Sequence, residues 1–167
     1  QTTGRVLINR FNQLSNCIRF LSADAIQLAK SGHPGMPLGL ADVMTVLYQR
    51  VLRHDPLDPT WEDRDRVILS NGHGSMLQYA TLYLSGYNWT IDEIKKFRQL
   101  GSDAAGHPEL DVSKGVEVTT GPLGQGLGNA VGISVARNRL QALYGKDRFT
   151  FRTFCFVGDG CLMEGIS

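Results

Sequence analysis

Three of the four histidines follow a glycine: His33 in "SGHPG", His73 in "NGHGS" and His107 in "AGHPE". Glycine lets a chain turn sharply and lets a ligand come close to the backbone. Imidazole donates, accepts or moves a proton near neutral pH. One such histidine alone reads as a polar turn residue, but three in the same setting point to a shared site. His54, in "LRHDP", lacks that setting and reads as a surface residue. An acid, Asp159, stands between Gly158 and Gly160, directly after an apolar run that ends at Val157. In open α/β sheets, ligands sit at the carboxyl ends of the strands. A single carboxylate at that edge suits Mg2+, which takes oxygen ligands and often shares them with phosphate, better than it suits a softer metal. Without such a ligand, "GDG" is a simple turn.

A second glycine-rich stretch, "TTGPLGQGLGN", opens a helix. Free amides at a helix N-terminus attract anions, phosphate above all. The stretch is not a Walker loop, because Leu127 stands where a lysine would follow Gly126. It is not a dinucleotide fingerprint either: counted from Gly124 and Gly126, the third glycine falls at Asn129. Ligand binding and tight helix packing both account for its composition.

These residues need elements to hold them. Leu14, Cys17, Ile18, Leu21, Ala25, Leu28 and Ala29 recur at helical spacing and predict a long first helix that ends before "SGHPG". Leu40, Val43, Met44, Leu47 and Val51 make a second stripe, and Leu77, Ala80, Thr81 and Leu84 a third. "WTIDEIKKF" carries a capping box, Thr90 with Glu93, and a staple of Trp89 onto Ile94. Residues 100–122 read as loop and Gln125–Tyr144 as a helix, with Gly128 and Gly132 one turn apart on a smooth face. Val67–Leu69 and "FTFRTFCFV" read as strands. Helices alternating with short apolar strands predict an α/β fold, a partial doubly wound parallel sheet with flanking helices, truncated because two clear strands make a poor sheet.

The 167 residues amount to about one domain. With 17 basic and 16 acidic residues the net charge is +1, which argues against nucleic-acid binding by bulk charge. No stretch is apolar enough to cross a bilayer and no signal peptide opens the chain, so no membrane partner is expected. The first residue is not Met, as in a processed or trimmed product. Cys17, Cys155 and Cys161 are odd in number and without zinc spacing, so they read as buried thiols in a reducing, cytoplasmic setting.

Together, "SGHPGMPLG", "DRVILSNGHGSMLQYATLYLSGY", "AGHPE", "TTGPLGQGLGNAVG" and "FVGDGCLMEGIS" resemble the successive N-terminal signatures of the transketolase family, in the family's order and over nearly all of the chain. The resemblance implies the thiamine-diphosphate-binding fold, with residues 1–167 the N-terminal part of the diphosphate-binding domain and the pyrimidine and C-terminal domains absent. It implies thiamine diphosphate and Mg2+, Ca2+ or another divalent cation as cofactors. It also implies transfer of a two-carbon ketol unit between sugar phosphates in the pentose phosphate pathway, by a cytoplasmic enzyme that is a homodimer when complete. Carried over residue by residue, Asp159 resembles the metal ligand, and Gly158 and Gly160 let the diphosphate approach. His73 resembles a histidine near the diphosphate, while His33 and His107 resemble catalytic histidines that meet substrate hydroxyls and move protons. Gly121 and Leu123 resemble backbone contacts to the cofactor, and Glu164 an acid near the subunit interface. The family's metal-binding asparagine lies about thirty residues beyond "GDG", past Ser167, and the glutamate that activates the aminopyrimidine lies in the second domain. Two alternatives stand beside this reading: a non-catalytic truncated module that associates with itself or with a full-length partner, and the matching part of a dihydroxyacetone synthase. Deoxyxylulose-phosphate synthase is a more distant neighbour.

Overall fold

The computed structural model describes residues 2–166, with side chains from Ile8 onward. They form two compact units, one of residues Gln1–Leu52 and Gly74–Gly106, the other of Arg53–His73 and His107–Ser167. Among the described residues no helix is long and apolar enough to cross a membrane.

The first unit is helical. Helix α1 (Thr2–Ala29) packs on α2 (Gly35–Val46), α3 (Ser75–Leu84) and α4 (Ile91–Lys95). It stops where Lys30 and Gly32 adopt positive φ, 51° and 139°. The buried seam of α1 differs from the apolar stripe. Ile18 and Ala25 are buried as expected, but Ser15 and Ser22 share the seam, while Cys17 and Leu28 are exposed. The reason is polar pairing. The Ser15 hydroxyl lies 3.0 Å from both Phe11 O and Thr45 Oγ1, and Ser22 Oγ donates to Met76 O. Buried hydroxyls with partners occupy places that hydrophobic periodicity gives to carbon. The expectation of three buried thiols therefore fails at Cys17, while Cys161 is fully buried and Cys155 partly so.

The second stripe, which runs through α2 and a π-helical turn after it (Leu47–Val51), shifts likewise. Met44 and Leu47 are buried with Ala41 and Tyr48, but Val43 and Val51 face out. At α4 the capping box is present in full: the Glu93 amide donates to Thr90 Oγ1 at 3.2 Å and the Thr90 amide to Glu93 Oε2 at 2.6 Å. Trp89 stacks on Tyr79 with centroids 4.7 Å apart. Thr90→Ala is expected to lower stability by about 1 kcal/mol. A thermal melt with an unchanged midpoint would remove the cap from the account.

The second unit is α/β. Strands β1 (Arg66–Leu69) and β2 (Thr153–Phe156) pair in parallel, Arg66 opposite Thr153 and Leu69 opposite Phe156, with α5 (Gln125–Tyr144) against both. The α/β class and the parallel pairing agree with the sequence reading. The register is fixed at the strand entrances by two acids. Asp63 Oδ1 accepts from the amides of Thr150 and Phe151, at 2.5 and 2.8 Å. Asp65 accepts from the amides of Arg53 and Arg152 and from the Arg152 guanidinium. Both strands then run to the same opposite edge of the sheet. His54, expected at the surface, is half-buried.

Candidate functional site

Both strands leave the sheet at the same edge, and the pairing continues one step as the Ser70 amide donates to Phe156 O at 2.9 Å. After β1 come Ser70, Asn71, Gly72 and His73; after β2 come Val157, Gly158, Asp159 and Gly160. Asp159 is exposed and caps a short 3-10 turn (Gly160–Met163), its Oδ1 accepting the Gly160 amide at 2.9 Å. Oδ2 keeps no partner among the described residues.

The glycine-rich stretch divides into two halves with different work. From Gly124 to Leu127 it packs. A Cβ on Gly126 would stand 2.5 Å from Ser70 Cα, and the Leu127 amide donates to Ser70 Oγ at 3.0 Å. Gly124, at φ 85°, lies against Glu164, whose Cβ would be 3.0 Å from an added methyl. The N-terminus of α5 is thus closed onto the end of β1, which favours the packing account over an open anion site there. At Gly121 the loop is freer. The atoms nearest a Cβ on Gly121 belong to the His107 side chain, at 3.7 Å, an ordinary contact. Gly158 is similarly open, with Asn71 Nδ2 at 3.9 Å. Gly160 is not: Leu123 Cδ1 would stand 2.9 Å from its Cβ, so Gly160 and Leu123 interlock.

Cys161 ties these pieces together. Burial pushes its thiol up, but hydrogen bonds from the Gly158 backbone, the Ser70 hydroxyl and the Gly124 backbone outweigh that and hold it below the ordinary cysteine value. At Cys155 burial wins, and the thiol is pushed above the ordinary cysteine value.

The second unit thus contains His73, His107, Gly121, Leu123, Gly158, Asp159, Gly160 and Glu164. His73 is half-buried, and His107 and Glu164 are exposed. His33 belongs to the first unit, exposed, with Nδ1 3.5 Å from Arg98 Nη2; Arg98 also donates to Ser31 Oγ at 2.8 Å. Arg98 adopts φ 58°, a conformation that costs a non-glycine residue about 1 kcal/mol or more. Among the described residues no three His, Cys, Asp or Glu side chains group as a metal site.

Sequence motifs did not single out Ser70, Asn71 and Thr120. Ser70 is fully buried, Asn71 is 8% exposed and Thr120 5%. Asn71 Oδ1 and Thr120 Oγ1 are buried without a hydrogen-bond partner. Their one sequence signal is position, next to Gly72 and Gly121.

The family profile described as "Transketolase, thiamine diphosphate binding domain" matches residues 11–167. The chain belongs to that family. A transketolase of Buchnera aphidicola subsp. Acyrthosiphon pisum is 59% identical over 158 residues, which are 93% of this chain and 24% of that protein. The crystal structure of transketolase from Campylobacter jejuni superposes with a TM-score of 0.90 at 51% identity, covering 94% of this chain and 24% of that one. Transketolase from Pichia stipitis, solved in complex with sedoheptulose 7-phosphate, superposes with a TM-score of 0.88 at 48% identity, covering 93% and 23%. The chain spans about a quarter of the length of the transketolases it matches.

The residues present fit the family's cofactor. A diphosphate needs donors, a hard cation and room beside the backbone. Asp159 offers a carboxylate oxygen, Gly121 and Gly158 leave room, and two buried polar side chains stand unpartnered beside them.

Proposed function

We propose that this chain works as part of a transketolase, passing a two-carbon ketol unit from a ketose phosphate to an aldose phosphate with thiamine diphosphate and a divalent cation, Mg2+ first. The observation that carries the proposal is the placement of Asp159. It sits at the exit of a parallel strand pair, between an open glycine and one that interlocks with Leu123 of the Gly121 loop. The solved complex of the Pichia stipitis relative with a sugar phosphate supports the substrate class.

Thiamine diphosphate, when bound, supplies the electron sink for breaking and making a carbon–carbon bond next to a carbonyl. This chain's residues do the rest. Asp159 holds the cation, the remaining ligands coming from diphosphate, water and residues outside this chain. The backbone at Gly121–Leu123 and Gly158–Gly160 lines the anionic end, with His73 as a donor beside it. His107, lying along Gly121, and His33, steadied by Arg98, hold sugar hydroxyls and move protons. Glu164 faces a second subunit in a homodimer. Residues 1–167 are the first part of the diphosphate-binding domain of a longer cytoplasmic enzyme of the pentose phosphate pathway.

The test is a transfer assay on the full-length protein with thiamine diphosphate, Mg2+, a ketose phosphate donor and an aldose phosphate acceptor. The reading requires a ketose two carbons longer than the acceptor, and no such product would overturn it. His107→Ala should lower kcat by about 100-fold with cofactor affinity unchanged. A variant with weakened cofactor affinity but an unchanged kcat at saturating cofactor would exchange the roles given to His107 and His73.

A further inference from the structure

Among the described residues, three buried polar side-chain atoms in the second unit have no hydrogen-bond partner: Arg137 Nε lies on α5, and Asn71 Oδ1 and Thr120 Oγ1 lie together at the strand-exit edge. Thr120 Oγ1 stands 2.6 Å from where a Cβ on Gly72 would be, directly before the open Gly121. Asn71 lies beside Gly158, its Nδ2 3.9 Å from that residue's Cβ position, with Oδ1 unpartnered. Buried polar groups are almost always paired, and each unpaired one costs about 1–3 kcal/mol. The neighbouring Ser70 shows the usual solution, since its hydroxyl accepts the Leu127 amide. Asn71 and Thr120 belong to the same buried edge and lack that solution.

We infer that Asn71 and Thr120 are positioning residues for the anionic end of the cofactor, held unpaired by the protein until the cation-bound diphosphate arrives. The inference rests on the function proposed above. A hydroxyl donates to a phosphate oxygen, and a carboxamide offers both a donor and an acceptor. Together they match a group that brings acceptor oxygens and the water that travels with a hard cation. Their partners need not move into place, because Thr120 is anchored by its amide to Pro108 O at 3.1 Å and Asn71 directly follows the paired end of β1. Side chains prepared in this way bind without a further ordering cost. They also leave a thermodynamic mark: removing them should relieve the ligand-free protein and weaken the complex.

The experiment compares full-length wild type with Thr120→Val, Thr120→Ser and Asn71→Ala. Thermal melts without cofactor are paired with calorimetric titration of thiamine diphosphate in the presence of Mg2+. Thr120→Val keeps shape and removes the hydroxyl, so its ligand-free midpoint should stay level or rise, while its dissociation constant rises about 10-fold. Thr120→Ser restores the hydroxyl and should bring affinity back to within about 3-fold of wild type. Asn71→Ala should weaken binding by a similar factor and serves as the second reading if one threonine variant folds poorly. Variants that melt lower without cofactor yet bind it as wild type does would show a structural pair and overturn the inference, leaving the proposed function intact. A wild type that fails to bind thiamine diphosphate would overturn the function itself, and the inference with it.

Discussion

Asp65→Asn is expected to cost about 3 kcal/mol of stability. The Asp65 side chain is fully buried and gathers the amides of Arg53 and Arg152 together with the Arg152 guanidinium at 2.6 Å. Those contacts join the segment before β1 to the residue just before β2. Burial pushes the carboxyl up, but the Arg152 side chain, the two amides and the Arg152 charge outweigh it and hold it below the usual carboxylate value. A folded-state value below the unfolded one, about 3.9, means the stabilisation is present above about pH 4 and is lost as pH falls through the folded-state value. Asp63 follows the same sign. There too burial pushes up, and the Thr150 hydroxyl with the Phe151 and Thr150 amides pulls further down. Urea unfolding at neutral pH should therefore separate wild type from Asp65→Asn widely, and the separation should close in acid. Curves that stay within about 0.5 kcal/mol of each other at pH 7 would remove the clasp from the account of register.

That clasp illustrates where a sequence stops being informative. Helix α5 occupies Gln125–Tyr144, as periodicity and the glycine run predict, and the Thr90 cap forms as its local signature says. Signals within one element survive because the partners are a few residues apart. Asp65 meets Arg152 across 87 positions, and Ser70 meets Leu127 across 57. Nothing local marks "DRDR" or "LSN" as the ends of such pairs. The same holds for the seam of α1, where Ser15 and Ser22 take buried places because Thr45 and Met76 answer them. At the candidate site the glycine-preceded histidines and "GDG" were visible as residue types. What each glycine does was not visible. Gly126 and Gly160 accommodate packing and Gly158 and Gly121 leave space, a division that composition does not encode.

The division matters for the metal. On the function proposed above, because α5's N-terminus is closed by Ser70, the charge of a diphosphate would fall more heavily on a cation at Asp159 than on helix-end amides. Replacing Asp159 in the full-length protein is accordingly expected to weaken thiamine diphosphate binding by more than about 100-fold, beyond the 10–100-fold typical of residues that only support a metal ligand. Two variants separate charge from shape. Asp159→Asn keeps an oxygen for the Gly160 amide, so the 3-10 turn it caps should persist, and only cation binding should fail. Asp159→Ala removes the cap as well and should bind no better. Equilibrium dialysis with and without a chelator decides between the explanations. Chelation should release cofactor from wild type and change little in Asp159→Asn, because the metal's contribution is already gone. An Asp159→Asn protein that retains cofactor as wild type does, and loses it on chelation, would show that the cation sits on other ligands and that the carboxylate between Gly158 and Gly160 serves only the turn.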